Sequence, residues 1–241
     1  VGPLGPGAAA SSFLQPGSML HSLVCAFLHR LPQARRFLQL ALGPPLHTVL
    51  CEASLNLSVP DAAATGGAAL AQQRAHAVAA TCELFLGCLA DHTPAMPRAA
   101  CRIAAATWAH AQHILGCSQP ESLSLVAHAL VCCWLAPAAG APEAYGLFPE
   151  PHPHGLTAAN LGAISGELAR MPHLLSSTSS TRVDPGVRLL GEWVQSVLLL
   201  SQQPILTRRH LRSRALSRSP ALSPGGGAAS AAARADLAPG E

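Results

Sequence analysis

Twelve histidines, eight cysteines, twelve acidic residues and fifteen cations, all of them arginine, are the groups with which this 241-residue chain could do chemistry. Metal chelation needs Cys or His at short, fixed offsets. The close pairs are Cys132 with Cys133, which a helix would point to different faces, and His110 with His113; His152 and His154 stand in a proline-rich stretch. This spacing predicts no metal centre. The cysteines read as small buried hydrophobes and the histidines as surface residues. No Gly-x-Ser-x-Gly elbow or Cys-Gly-x-Cys context presents a nucleophile, and no pair of carboxylates suggests itself for general acid–base work. A phosphate loop of the G-x-x-x-x-G-K-[ST] type is impossible without lysine, and no G-x-G-x-x-G follows a strand. The residues point away from an enzyme with its own substrate or cofactor and towards a protein that acts by binding.

Composition narrows the partners. Apolar residues (AVILMFWYC) make up 49% of the chain and charged ones 11%, against about 25% charged in an ordinary soluble domain. A net charge of +3 is too weak a field to imply nucleic acid or an acidic substrate. The cysteines are too sparse for a disulfide scaffold and fall on or beside helical stretches, so a reduced, cytoplasmic chain is expected. No positively charged start precedes an apolar run and a small-residue cleavage site, so secretion is not expected, and a start at Val1 leaves open whether the chain is a fragment. Its most apolar window, 125–141, is interrupted by His128 and Pro137 and falls short of the roughly 20 clean residues of a membrane span. A soluble protein is therefore expected.

The elements follow from periodicity. Residues 1–17, rich in proline and glycine, read as a disordered lead. From Ser18, apolar residues at helical spacing predict two helices meeting at Pro32, with 29–33 either a kink or a short exposed loop. Gly43-Pro44-Pro45 stops the second, and a short helix over 46–51 precedes a polar linker. A long amphipathic helix over 68–89 turns Leu70, Val78, Cys82, Leu84, Phe85 and Leu89 inward. Thr93 caps the next helix, with Pro94 at its first position and Gly116 as its stop. Ser118 opens a helix over 121–135 that is apolar nearly all round and so belongs at the centre of a bundle. Helices over 157–171 and 186–200 complete an all-α fold without a sheet. Residues 201–241, rich in Arg, Ser, Ala, Gly and Pro, read as a disordered tail. Arg208, Arg209, Arg212, Arg214 and Arg218 stand there among serines, suited to phosphates, an anionic membrane or an adaptor site, or simply solvated.

The central helix continues as Val131-Cys132-Cys133-Trp134-Leu135-Ala136-Pro137-Ala138, then Ala141-Pro142-Glu143-Ala144-Tyr145-Gly146-Leu147. This arrangement resembles the hallmark of the Ras GTPase-activating (Ras-GAP) domain, which runs Phe-Leu-Arg, three residues, Pro-Ala, and shortly afterwards Pro, two residues, Phe or Tyr, Gly, aliphatic. It is most similar to the branch of endocytic regulators that join a Ras-GAP-like domain to a Rab exchange domain, the receptor-mediated endocytosis protein group. In that branch a cysteine replaces the arginine, as at Cys133, and a Tyr-Gly follows. Asn160-Leu161 and the run from Cys25-Ala26-Phe27 through Arg35-Arg36-Phe37-Leu38 look like the same branch. The similarity covers about 18–200, with the segment between Cys51 and Ala68 shortened.

What the resemblance implies is an N-terminally incomplete Ras-GAP-like helical bundle that binds a Ras- or Rab-type small GTPase in endocytic trafficking, with peripheral contact with endosomal or plasma membrane. GTP and Mg would belong to the partner. A GTPase hydrolyses GTP slowly because charge on the transferring phosphoryl oxygens meets too little cation, and an arginine finger supplied in trans is worth about 10³ to 10⁵ in rate. Family members carry that finger in a Phe-Arg pair at a helix corner, and the hallmark arginine braces the corner through its backbone. Carried over to Phe27-Leu28, the finger position is Leu28, and the bracing position is Cys133. Neither can replace a five-donor guanidinium fork, so activation is expected to be weak or lost. Arg30 is the candidate displaced finger. Leu28, His29, Arg35 and Arg36 border the expected docking groove, and Phe27, Cys133, Trp134, Pro137, Pro142, Tyr145 and Gly146 carry the motif. The alternative is a non-catalytic helical adaptor acting through its Arg/Ser tail.

Overall fold

The computed structural model describes residues 17–52, 55–57, 68–148, 155–177 and 184–203. Residues 1–16 of the expected lead, the tail from 204 with its arginines, and His152 and His154 lie outside them. Eight helices and no strand occupy the described residues. They are α1 (Met19–Arg30), α2 (Pro32–Ala41), α3 (Gly43–Cys51), α4 (Ala68–Asp91), α5 (Arg98–His113), α6 (Gln119–Gly140), α7 (Gly155–Ser176) and α8 (Pro185–Gln202).

Local chemistry sets the boundaries. The Ser18 hydroxyl accepts from His21 N–H at 3.1 Å and caps α1, while Leu31, extended at φ −83° and ψ 118°, is the single residue between α1 and α2. Pro32 opens α2, where its missing N–H has no intrahelical partner to lose. Gly43-Pro44-Pro45 does follow the end of α2 at Ala41, as expected, but the same logic moves the next start, and α3 opens at Gly43 instead of Leu46. Leu42 stays in the helical region, and both prolines fall in the first turn of α3. Thr93 also departs from expectation. Residues Thr93–Ala95 form one tight turn, α5 opens only at Arg98, and the Thr93 hydroxyl donates to Leu89 O at 3.0 Å. It closes α4 instead of opening α5. Glu121 accepts from both Ser118 N–H and its hydroxyl, at 2.8 and 2.7 Å, and so fixes the start of α6.

Helix α6 is the axis, packing against α1, α5, α7 and α8. It is long and apolar enough to cross a membrane by length and composition, and most of it is buried by its neighbours. Neither His128 nor Pro137 breaks it. Around it the core gathers Phe37, Leu42, Phe85, Leu130 and Trp193. On α4 the inward stripe is Val78, Cys82, Phe85, Leu86 and Leu89. Leu70 and Leu84, expected inside, are 42% and 51% exposed, because Leu84 falls off the stripe and Leu70 lies in the first turn. Buried Asn160 on α7 accepts from Leu57 N–H and donates to Leu55 O, both at 2.7 Å, and thereby anchors the described piece 55–57.

Over His128–Leu135 the turns of α6 widen, and Ala136 N–H reaches back five residues to Val131 O. Pro137 supplies the reason. In an α-helix its amide would bond Cys133 O, but proline has no N–H and its ring crowds that carbonyl. The Cys25 thiol of α1 donates to Cys133 O instead, at 2.9 Å.

Candidate functional site

The α1–α2 corner is held from behind by the turn that follows α6. His29 Nε2–H donates to Ala144 O at 3.0 Å, and its ring meets Tyr145 edge-on with centroids 5.0 Å apart. Arg35, on the first turn of α2, donates from Nε and Nη2 to Gly146 O at 3.2 and 2.9 Å. Gln39, one turn further on, adds a third donor to the same oxygen at 3.3 Å. Gly146 has φ +64°, and a Cβ there would come within 2.5 Å of the Arg35 guanidinium. Only glycine lets the fork approach that closely. Beneath the corner, Phe37 packs on Trp134 at 5.6 Å, and Pro142 is buried.

The sequence-derived residues separate into three groups. Tyr145 and Gly146 meet His29 and Arg35 at the corner, and the two cations differ in use: Arg35 is spent on bracing, whereas Arg36 is exposed and, with Arg98, lines an open cavity of about 440 Å³. Phe27, 50% exposed, and Arg30 lie on the outer side of α1; Phe27 extends an apolar stripe of Met19, Leu20 and Leu23. Leu28, Cys133 and Trp134 are fully buried. Leu28 therefore belongs to the core and has no surface to give a partner. Pro137 remains inside α6.

Cys133 is not alone. Its sulfur lies 3.2 Å from His21 Nδ1, and the donor atoms of His21, Cys25 and Cys133 all fall within 4.8 Å of one another. Burial pushes the Cys133 thiol up to about 12, with the Cys25 and Cys132 sulfurs adding to the effect, and burial also raises Cys25. The Tyr145 phenol is raised as well, first by burial and then by the two sulfurs near it. Cys132 points the other way, to Ala169 O at 3.4 Å. All eight cysteines are free thiols. Sequence spacing within α6 could not reveal this group, because its members come from two helices. The signal that was present is His21-x-x-x-Cys25, four residues apart and so on one helix face. Gln39 carried no signal of its own.

The described residues define an all-α protein with a braced, cation-bearing corner beside a widened central helix. No protein-family model matches the chain, and no curated protein matches it in sequence.

Proposed function

We propose that this chain is a Ras-GAP-like regulator that docks a Ras- or Rab-type small GTPase on its α1–α2 corner and accelerates GTP hydrolysis weakly or not at all. The observation that carries this reading is the brace between the corner and the Tyr145-Gly146 turn. A finger loop must be rigid from behind before it can meet a phosphoryl group. In the family the bracing guanidinium sits on the hallmark helix. Here Arg35 supplies it from the corner side and Gly146 supplies the carbonyl, so Cys133 does not leave the corner slack.

The outer face fits docking better than catalysis. Leu28 is buried, and Arg30 is the exposed cation in the last turn of α1. Arg30, three residues after Phe27 on the same helix, presents positive charge beside the apolar stripe, a combination suited to an interface with an apolar centre and a charged rim. A site of action on endosomal or plasma membrane follows from the same resemblance.

The test is binding and multiple-turnover hydrolysis of GTP by a panel of Ras and Rab proteins with the full chain. The expected result is tighter binding of the GTP-loaded form, weakened at least about tenfold by Phe27→Asp or Arg30→Glu, with hydrolysis stimulated less than about 100-fold, well below the range of a working finger. Stimulation above about 100-fold that survives Arg30→Ala would overturn the finger assignment. Binding of no GTPase would overturn the reading itself.

A further inference from the structure

We propose that His21, Cys25 and Cys133 form a three-ligand site for a thiophilic divalent cation of the zinc class, with water as fourth ligand, that pins α1 to the central helix. The inference is independent of the GTPase reading. Two half-buried donors, His21 and Cys25, stand one turn apart on α1, and the third, Cys133, rises from the buried helix beneath them. A tetrahedral zinc with bonds of about 2.3 Å to sulfur and about 2.0 Å to nitrogen holds S and N roughly 3.6 Å apart and two sulfurs roughly 3.8 Å apart. Cys133 Sγ and His21 Nδ1 are 3.2 Å apart, and no pair of the three exceeds 4.8 Å. Metal binding would take the Cys25 sulfur from Cys133 O, to which it donates at 2.9 Å.

The donor set selects the metal. Two thiolates and an imidazole favour zinc or its relatives over calcium or magnesium, which take oxygen ligands. Charge balances: binding expels both thiol protons to solvent, and two thiolates cancel the charge of the cation. The half-buried side of His21 and Cys25 is the entry path and the place for the water. A second His-Cys pair at the same spacing, His47 and Cys51 on α3, has its sulfur 3.5 to 3.6 Å from the imidazole nitrogens. It is exposed and has no third donor among the described residues, which makes it an internal control.

The experiment titrates the reduced, chelator-stripped full chain with Co²⁺ and then Zn²⁺. One equivalent of cobalt is expected to give tetrahedral visible bands with a thiolate charge-transfer band in the near ultraviolet, and zinc to displace it. Cys25→Ser and Cys133→Ser should each lower affinity at least about 100-fold, since even groups that only orient a ligand cost 10- to 100-fold, while Cys51→Ser leaves it unchanged. X-ray absorption on the zinc-loaded wild-type chain should count two sulfurs, a measurement that needs no variant to fold. A shell of nitrogen and oxygen only, the absence of a thiolate band at one equivalent, or loss of the band in Cys51→Ser would each overturn the proposal.

Discussion

Gly146 concentrates the local strain and the local bonding of the corner. At φ +64° an alanine costs roughly 1 to 2 kcal/mol in backbone strain alone. Its Cβ would also displace the Arg35 fork, although the end of a flexible, exposed side chain moves cheaply. Gly146→Ala should therefore lower stability in urea by about 2 kcal/mol, and by only about 1 kcal/mol in an Arg35→Ala background, where no fork remains to displace. Equal losses in both backgrounds would mean that the guanidinium does not hold the turn. At this scale much of the corner was legible. His29, Arg35, Tyr145 and Gly146 stood out by type and motif, but the expected use of His29 and Arg35 was to border a docking groove, and their bonds to the 144–146 turn were not foreseen. The depth of a side chain was not legible. Leu28 and Phe27 are adjacent apolar residues near the end of one helix, and which of them faces the core depends on where α6 lies. Helical spacing groups residues by face without saying which neighbour each face will meet.

Between elements, the widened stretch His128–Leu135 is where helix pattern alone misleads. Its residues promise an ordinary core helix, and Pro137 promises a break. The outcome is a third one, because Cys25 from α1 satisfies the carbonyl that Pro137 cannot. A buried acceptor left unpaired costs about 1 to 3 kcal/mol, so the thiol and the proline should be energetically linked. Cys25→Ala is expected to destabilise the chelator-treated wild type by about 1 kcal/mol more than it destabilises Pro137→Ala, in which residue 137 regains its own N–H. A cycle with no coupling would show that the Cys25 thiol does not stand in for the missing amide. The misplaced starts at Gly43 and Thr93 have a similar origin. Proline tolerates the first turn of a helix and equally the tight turn before one, so its position leaves the start ambiguous by several residues.

Across the whole molecule, the all-α class was readable because it rests on period and on local caps such as Ser118 with Glu121, which need no knowledge of neighbours. The bond that joins α1 to α6 was not: the resemblance put the Leu28 corner near Cys133, but the contact runs from the Cys25 thiol to a carbonyl 108 positions away that Pro137 cannot pair. The same composition that made the helices legible also sets how the molecule holds together. Charged residues make up 11% of the chain, the core is built mainly of leucine, alanine and valine with a few rings, and the ion pair of Arg170 with Glu167 at 2.6 Å spans a single turn of α7 without tying it to another helix. Exposed pairs of this kind contribute about 0 to 1 kcal/mol. Raising salt from about 0.1 M to about 1 M shortens the screening length from about 10 Å to about 3 Å and removes most surface electrostatics while leaving apolar burial intact. The urea midpoint is accordingly expected to stay constant or rise slightly with sodium chloride, as relief of the +3 charge offsets the loss of local pairs. A marked fall would mean that charges between helices, and not the packed interior around α6, supply the margin of stability.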